Sequence, residues 1–237
     1  MKILRHSLRL SAVALLVFAL ADRAPSQSLT ISNFSFENAT GYGAQTTAPS
    51  SWNNENQTPG SGGNGNVVLG SPNYTGYLGN NIFELNLDVG GVAGSSGTSW
   101  VSSVSLGTYQ PNSLYTLTVS MAMNGGNDTR SAMIALAAGG FSGNATTPSY
   151  TVAATTVNHS NLTTAFQDYT VTINTSLNPG VVGQQIGVLL EHEALNSQYG
   201  NQVAFDNVRL TAIPEVSTFA LLLFAAPIGL LFRRCHA

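Results

Sequence analysis

The sequence predicts an all-β protein, a two-sheet antiparallel β-sandwich of jelly-roll type, flanked by an N-terminal signal peptide and a short C-terminal transmembrane sorting helix. Three observations carry this expectation. The central part of the chain is dense in Gly, Ser, Thr and Asn, its apolar stretches are of strand length, and no long segment keeps a helical period. Many short strands with no helices between them must bury their apolar faces against one another, which two packed sheets achieve and an open sheet does not.

The first 21 residues have the three parts of a secretory signal. Lys2, Arg5 and Arg9 form the charged region, Leu10 to Leu20 the apolar region, and Ala19-Leu20-Ala21 a small-x-small cleavage site, with cleavage expected after Ala21. The apolar run is about half of the roughly 20 residues a spanning helix needs. Residues 22–28 are a linker, and 29–212 form one β-sandwich ectodomain, long enough for one core without a second.

The clearest strand is Leu114 to Met123, where Tyr115, Leu117, Val119, Met121 and Met123 share one face and Thr116, Thr118, Ser120 and Ala122 the other. Less regular runs cover 29–36, 67–69, 77–87, 99–106, 132–138, 150–157, 167–173, 185–193 and 202–211, with turn signals such as Asn178-Pro179-Gly180 between them. The polar stretch 38–66 lacks periodic apolar residues and is expected to be a surface loop anchored by Trp52. In the last strand Val203 and Phe205 set one alternation and Val208 and Leu210 another. The slip at Asp206-Asn207 predicts a bulge that aims a carboxylate.

After Thr211 the composition changes to Pro214-Glu215-Val216, then an apolar run from Phe219 to Phe232, then Arg233-Arg234. The run of 14 residues contains Pro227 and is marginal as a permanent span, so a transient anchor ahead of a processing step is the expectation for 213–237. The lone cysteine, Cys235, lies in this tail, so the ectodomain has no disulfide.

Charge excludes one class of partner. Between Leu29 and Ile213 the cations are Arg130 and Arg209, against nine acids, a net of 2 − 9 = −7. Nucleic-acid binding needs clustered Lys and Arg and is not expected. Glu191, His192 and Glu193 resemble an acid-base cluster, but side by side on one strand Glu191 and Glu193 cannot flank a scissile bond from opposite sides. They are expected to be a solvated strand end, with His192 facing the core alongside Ile186, Val188 and Leu190. No catalytic residue is assigned. Trp52, Tyr42 and Tyr74 are the candidate aromatic platform for a ligand, with core packing the alternative.

Two stretches resemble known families. Asn33-Phe34-Ser35-Phe36-Glu37, followed by Ser51-Trp52, and the closing Phe205-Asp206-Asn207-Val208-Arg209-Leu210 resemble the ends of galactose-binding-like, carbohydrate-binding-module jelly rolls. The tail, with Pro214, Glu215, Arg233 and Arg234, resembles the sorting signal of PEP-CTERM proteins, with Val216 where that family has Pro. The first resemblance implies a structural calcium ion on Glu37 and Asp206, and a hard cation of this kind needs six to eight oxygen ligands. The second implies export by signal peptidase and an exosortase-type enzyme to the cell surface or the extracellular matrix, with transient inner-membrane anchoring through the C-terminal segment. Together they lead to the expectation of a non-enzymatic surface protein binding a polysaccharide or exopolysaccharide matrix. The alternatives are a structural self-associating surface protein and, ranked last, a glycan-active enzyme.

Overall fold

The computed structural model describes residues 26–32, 34–37, 52–54, 64–69, 73–86, 97–103, 106–124, 130–139, 151–156, 162–194 and 202–215. Within them run eleven strands: β1 (Gln27–Leu29), β2 (Trp52–Asn54), β3 (Asn64–Leu69), β4 (Asn81–Asn86), β5 (Gly97–Ser103), β6 (Ser113–Asn124), β7 (Arg130–Ala138), β8 (Thr151–Thr156), β9 (Gln167–Asn174), β10 (Ile186–Ala194) and β11 (Gln202–Pro214). They form two antiparallel sheets. The first has the order β3-β4-β11-β6-β9, with β1 also on β11, and the second the order β2-β5-β10-β7-β8. The fold is therefore an all-β two-sheet sandwich.

Ten of the eleven strands fall in or beside the stretches that the sequence marks. The exception is β2, inside the polar segment expected to be a loop: Trp52–Asn54 pairs with Val101–Ser103 at the edge of the second sheet. Period alone cannot mark a strand of three residues. The opposite error occurs at 29–36, where pairing stops at Leu29 and the chain then turns. Both ends of the domain also reach past the expected boundaries, since Gln27 pairs with Ala212 and Pro214 with Ser113. Among the described residues no helix is long and apolar enough to cross a membrane, and residues 1–25 and 216–237 lie outside them.

Alternation fills the core. Tyr115, Leu117, Val119, Met121 and Met123 of β6 meet Ile134 and Leu136 of β7 and Val188 and Leu190 of β10 between the sheets. β11 contributes Val203 and Phe205 before its bulge and Val208, Leu210 and Ala212 after it. The inward residues change from odd to even numbers at the register shift between Asp206 and Arg209, so one extra residue keeps both halves of the strand apolar side inward. Tyr109 and Tyr115 close one end of the core as an edge-to-face pair 4.9 Å apart, with the Tyr109 hydroxyl donating to the Ala137 carbonyl at 3.1 Å.

A smaller buried cluster lies on the other face of the first sheet. Tyr74 covers Ile82, Ala122 and Ala204, with Tyr77 and Phe166 beside it. The segment carrying Tyr74 is pinned there by Thr75 N to Thr164 O at 3.1 Å and Phe166 N to Thr75 O at 2.8 Å. Glu84, opposite Ala204 in the ladder, is buried on the strand that runs beneath it. Burial raises its pKa above the usual 4.5, and the nearby Tyr74 side chain opposes part of the rise. A carboxyl whose folded pKa is raised contributes most stability below its unfolded value and loses it as pH rises through the folded one. Urea denaturation between pH 4 and pH 7 should therefore show stability falling with pH through this group, and Glu84→Gln should flatten that slope.

Candidate functional site

On one edge, β11 exchanges its neighbour. Gln202 to Phe205 pair with β4, and Leu210 to Ala212 pair with β1. The bulge lies between these two ladders, and the gap is where Glu37 and Asp206 come together with the turn at 78–81. Asn207 takes up the left-handed backbone (φ 48°), which asparagine tolerates. Phe36 is also left-handed (φ 56°), a strained conformation for a bulky residue, stabilised by burying its ring between Trp52 at 5.4 Å and Phe83 at 5.2 Å. The next residue, Glu37, is then delivered to the 78–81 turn.

That turn supplies main-chain donors to both carboxylates. Leu78 N donates to Asp206 Oδ2 at 2.5 Å, and Asn207 N to Asp206 Oδ1 at 2.6 Å. Glu37 Oε1 accepts from Asn80 N at 2.9 Å and Asn81 N at 2.8 Å. Gly79 (φ 77°) makes the close approach possible, because a Cβ there would lie 2.4 Å from Glu37 Oε1. Asp206 is fully buried. Its pKa is pushed up to about 6, mainly by burial and also by the negative charge of Glu37, while the bonds from Leu78 and Asn207 oppose the rise. Arg209, three residues on, does not neutralise the pair: its guanidinium meets Asp168 at 2.5 Å, the one ion pair among the described residues. The structure thus gathers two hard-oxygen donors without a protein cation of their own. No third His, Cys, Asp or Glu joins them among the described residues, so further ligands to a cation would be carbonyl oxygens or water.

A different chemistry lies on the second sheet. His192 is buried, with Nδ1 3.0 Å from the Leu85 carbonyl, as expected of a core histidine. Glu191 is half-buried and faces away from the core, in register with Met133 on β7 and with Trp100 on β5. Two residues before it, Leu189 packs with Ala135, both buried, and with Met133 at their side. Glu191 is therefore partly buried beside Met133 and is not the solvated strand end expected for it. Nothing in the spacing of 189–193 distinguishes the two cases, because Met133 and Ala135 come from β7.

The aromatic platform is corrected by burial. Trp52 is 4% exposed and packed at a tilt against Phe36 in the core, and Tyr74 is 3% exposed beside Phe166, so neither presents a face to a ligand. Tyr42 lies outside the described residues, as do Ala19, Ala21, Arg233 and Arg234. Pro214 and Glu215 belong to the folded domain: Pro214 ends β11, and the Glu215 carboxylate accepts from Asn174 Nδ2 at 2.7 Å and Ser176 Oγ at 2.9 Å.

The family model described as HpiC1 cyclase (HpiC1-like) matches residues 27–211. A cyclase from Fischerella sp. TAU is 26% identical at a TM-score of 0.61, covering 81% of this chain and 99% of its own. The Stig cyclase Fisc from the same organism, in complex with (3Z)-3-(1-methyl-2-pyrrolidinylidene)-3H-indole, is 25% identical at a TM-score of 0.62, covering 81% and 100%. A Fischerella sp. TAU cyclase in complex with 4-(1H-indol-3-yl)butan-2-one is 25% identical at 0.59, covering 80% and 98%. No curated protein matches the chain. These findings overturn the expectation of a non-enzymatic surface protein with a polysaccharide partner, since the matched family and these similar structures are enzymes, two of them holding small indole compounds. The same fold serves both trades, and the resemblance of the two chain ends to carbohydrate-binding jelly rolls did not separate them. The chain belongs to the HpiC1-like cyclase family.

Proposed function

We propose that this chain catalyses an acid-promoted ring closure of a small, largely apolar, indole-type substrate on the outer face of the second sheet, with Glu191 as the proton-transfer group. The observation that carries the reading is the placement of the partly exposed Glu191 in register with the partly exposed Met133, above the buried pair Leu189 and Ala135. Closing a ring onto an electron-rich aromatic carbon forms one carbon–carbon bond. A proton must first be delivered to generate the electrophile, and another must leave the attacked ring carbon to restore aromaticity. One carboxyl group can do both in turn, so the reaction needs no net proton and no redox partner. Met133, partly exposed beside Glu191 and backed by the buried Leu189 and Ala135, offers an apolar surface to a flat substrate. The secretory pattern of residues 1–21 supports a site of action after export.

Glu191→Gln keeps the shape and removes the titrating group. It should lower kcat on an indole-type cyclisation substrate by about 10²- to 10⁴-fold while leaving the thermal melt unchanged. Steady-state kinetics at wild-type activity would place the chemistry on another residue.

We also propose that Glu37 and Asp206 hold a structural calcium ion that ties the segment after β1 to β11. It is supported by the hard-oxygen donor pair, the mutual repulsion of the two carboxylates and the absence of a neutralising cation among the described residues. Binding to the folded form alone stabilises it by about 2.7 kcal/mol at a free calcium concentration 100 times Kd. Melting of the purified protein with calcium and with a chelator should then differ by roughly 5 to 11 °C. Asp206→Ala should abolish the difference, and metal analysis should find bound calcium in the wild type only.

A further inference from the structure

The end of the sandwich from which the C-terminal segment leaves has an unusual surface. Three connections meet there: the loop 106–112, the turn and short 3-10 segment of 175–185, and the end of β11. Glu215 N donates to Asn112 O at 2.6 Å, Thr175 N to Ser113 O at 3.0 Å, Gly183 N to Tyr109 O at 2.9 Å and Ile186 N to Gly107 O at 2.8 Å. Three of the five exposed large apolar side chains among the described residues lie on these connections: Leu177 at 80% exposure, Ile213 at 40% and Val182 at 36%. Across 106–115, 174–186 and 211–215 the one formally charged residue is Glu215, and its carboxylate is held by Asn174 and Ser176. Such an end costs little to bring against an apolar phase, because few charges have to be desolvated.

The sequence beyond this point identifies the occupant. The clasp on Glu215 fixes where the chain leaves the domain, and the apolar run Phe219 to Phe232 begins four residues later, followed by Arg233-Arg234. Four extended residues reach about 14 Å at most. Wherever that run enters a lipid phase, the end carrying Leu177, Val182 and Ile213 is therefore held within about 14 Å of it, and the high effective concentration favours contact. Basic residues beyond the run suit an anionic headgroup layer. A free protein partner would not require the uncharged end and the apolar run to share one exit.

We propose that this end of the sandwich rests on a lipid surface, with Leu177, Val182 and Ile213 dipping into the interface and Glu191 held back from it along β10. From Ile186 at the lipid-facing end to Glu191 is five strand residues, about 17 Å along β10. This orientation does not depend on the identity of the substrate.

The test uses the full chain carrying Cys235→Ser, with an environment-sensitive fluorophore on Leu177→Cys or, as the control on the metal-site turn, Leu78→Cys. Vesicles of phosphatidylcholine and phosphatidylglycerol should shift the emission of the label at 177 to the blue and leave that at 78 unchanged. The triple variant Leu177→Ser, Val182→Ser, Ile213→Ser should bind these vesicles about tenfold more weakly, with its melt and its turnover in lipid-free buffer unchanged. Vesicle binding through the apolar run alone, with no shift at 177 and full affinity in the triple variant, would overturn the proposal. So would equal shifts at both positions, or no association of the chain with vesicles. Loss of activity in Glu191→Gln, or its retention, bears on the catalytic reading and leaves this one untouched.

Discussion

Backbone pairing along β11 is the constraint on which the rest of the molecule depends. A central strand has donors and acceptors on both edges, and each must find a partner when buried. One edge is satisfied by β6 over nearly the full length, and the other is shared between β4 and β1. Two strands placed end to end along one edge leave a gap between them. The bulge occupies that gap, and if the same sequence ran through it as a regular strand the side chains of Val208, Leu210 and Ala212 would point away from the core. A local irregularity in one strand thus preserves a continuous apolar layer and, in the same step, turns a carboxylate toward the turn that connects to β4.

The sandwich separates two kinds of work. On the first sheet, main-chain donors of the 78–81 turn hold two carboxylates at the seam between the chain ends, an arrangement suited to fastening the fold. On the second sheet, the outward side chains of the central strands β10 and β7 combine a carboxylate with an apolar strip. Strand alternation allows this separation, since β10 sends Val188, Leu190 and His192 into the core while Leu189 and Glu191 face out. Substitutions in the outward set therefore place little demand on the inward one.

Much of this was legible in the residues. The period of two in 114–123 gave β6 and its core face, and the broken alternation at Asp206-Asn207 gave the bulge, because both are local patterns governed by pleat geometry. Trp52 could not be placed in that way. It sits in a polar stretch, and its burial comes from Phe36 and from pairing with β5, neither of which is near in sequence. Glu191 failed for a related reason. Its neighbours in the sequence, His192 and Glu193, suggested a hydrated strand end, whereas it is half-buried and in register with Met133 across the sheet. Gly79 was likewise unmarked, since its need for a left-handed backbone arises only when Glu37 arrives beside it.

The pairing of β1 with β11 has a consequence for how the polypeptide reaches this state. Leu29 and Leu210 are neighbours in the ladder, so the sheet closes only when almost the whole domain is available. Long-range strand pairing of this kind is slow, because loop-closure entropy must be overcome before the contacts form. A nascent chain emerging amino end first therefore exposes β4 and β6 with bare edges until its final strand appears. Any chain interrupted before residue 202 retains those edges permanently and offers them to other chains. The strand that completes the fold is also its safeguard against aggregation, and it is the last to be made.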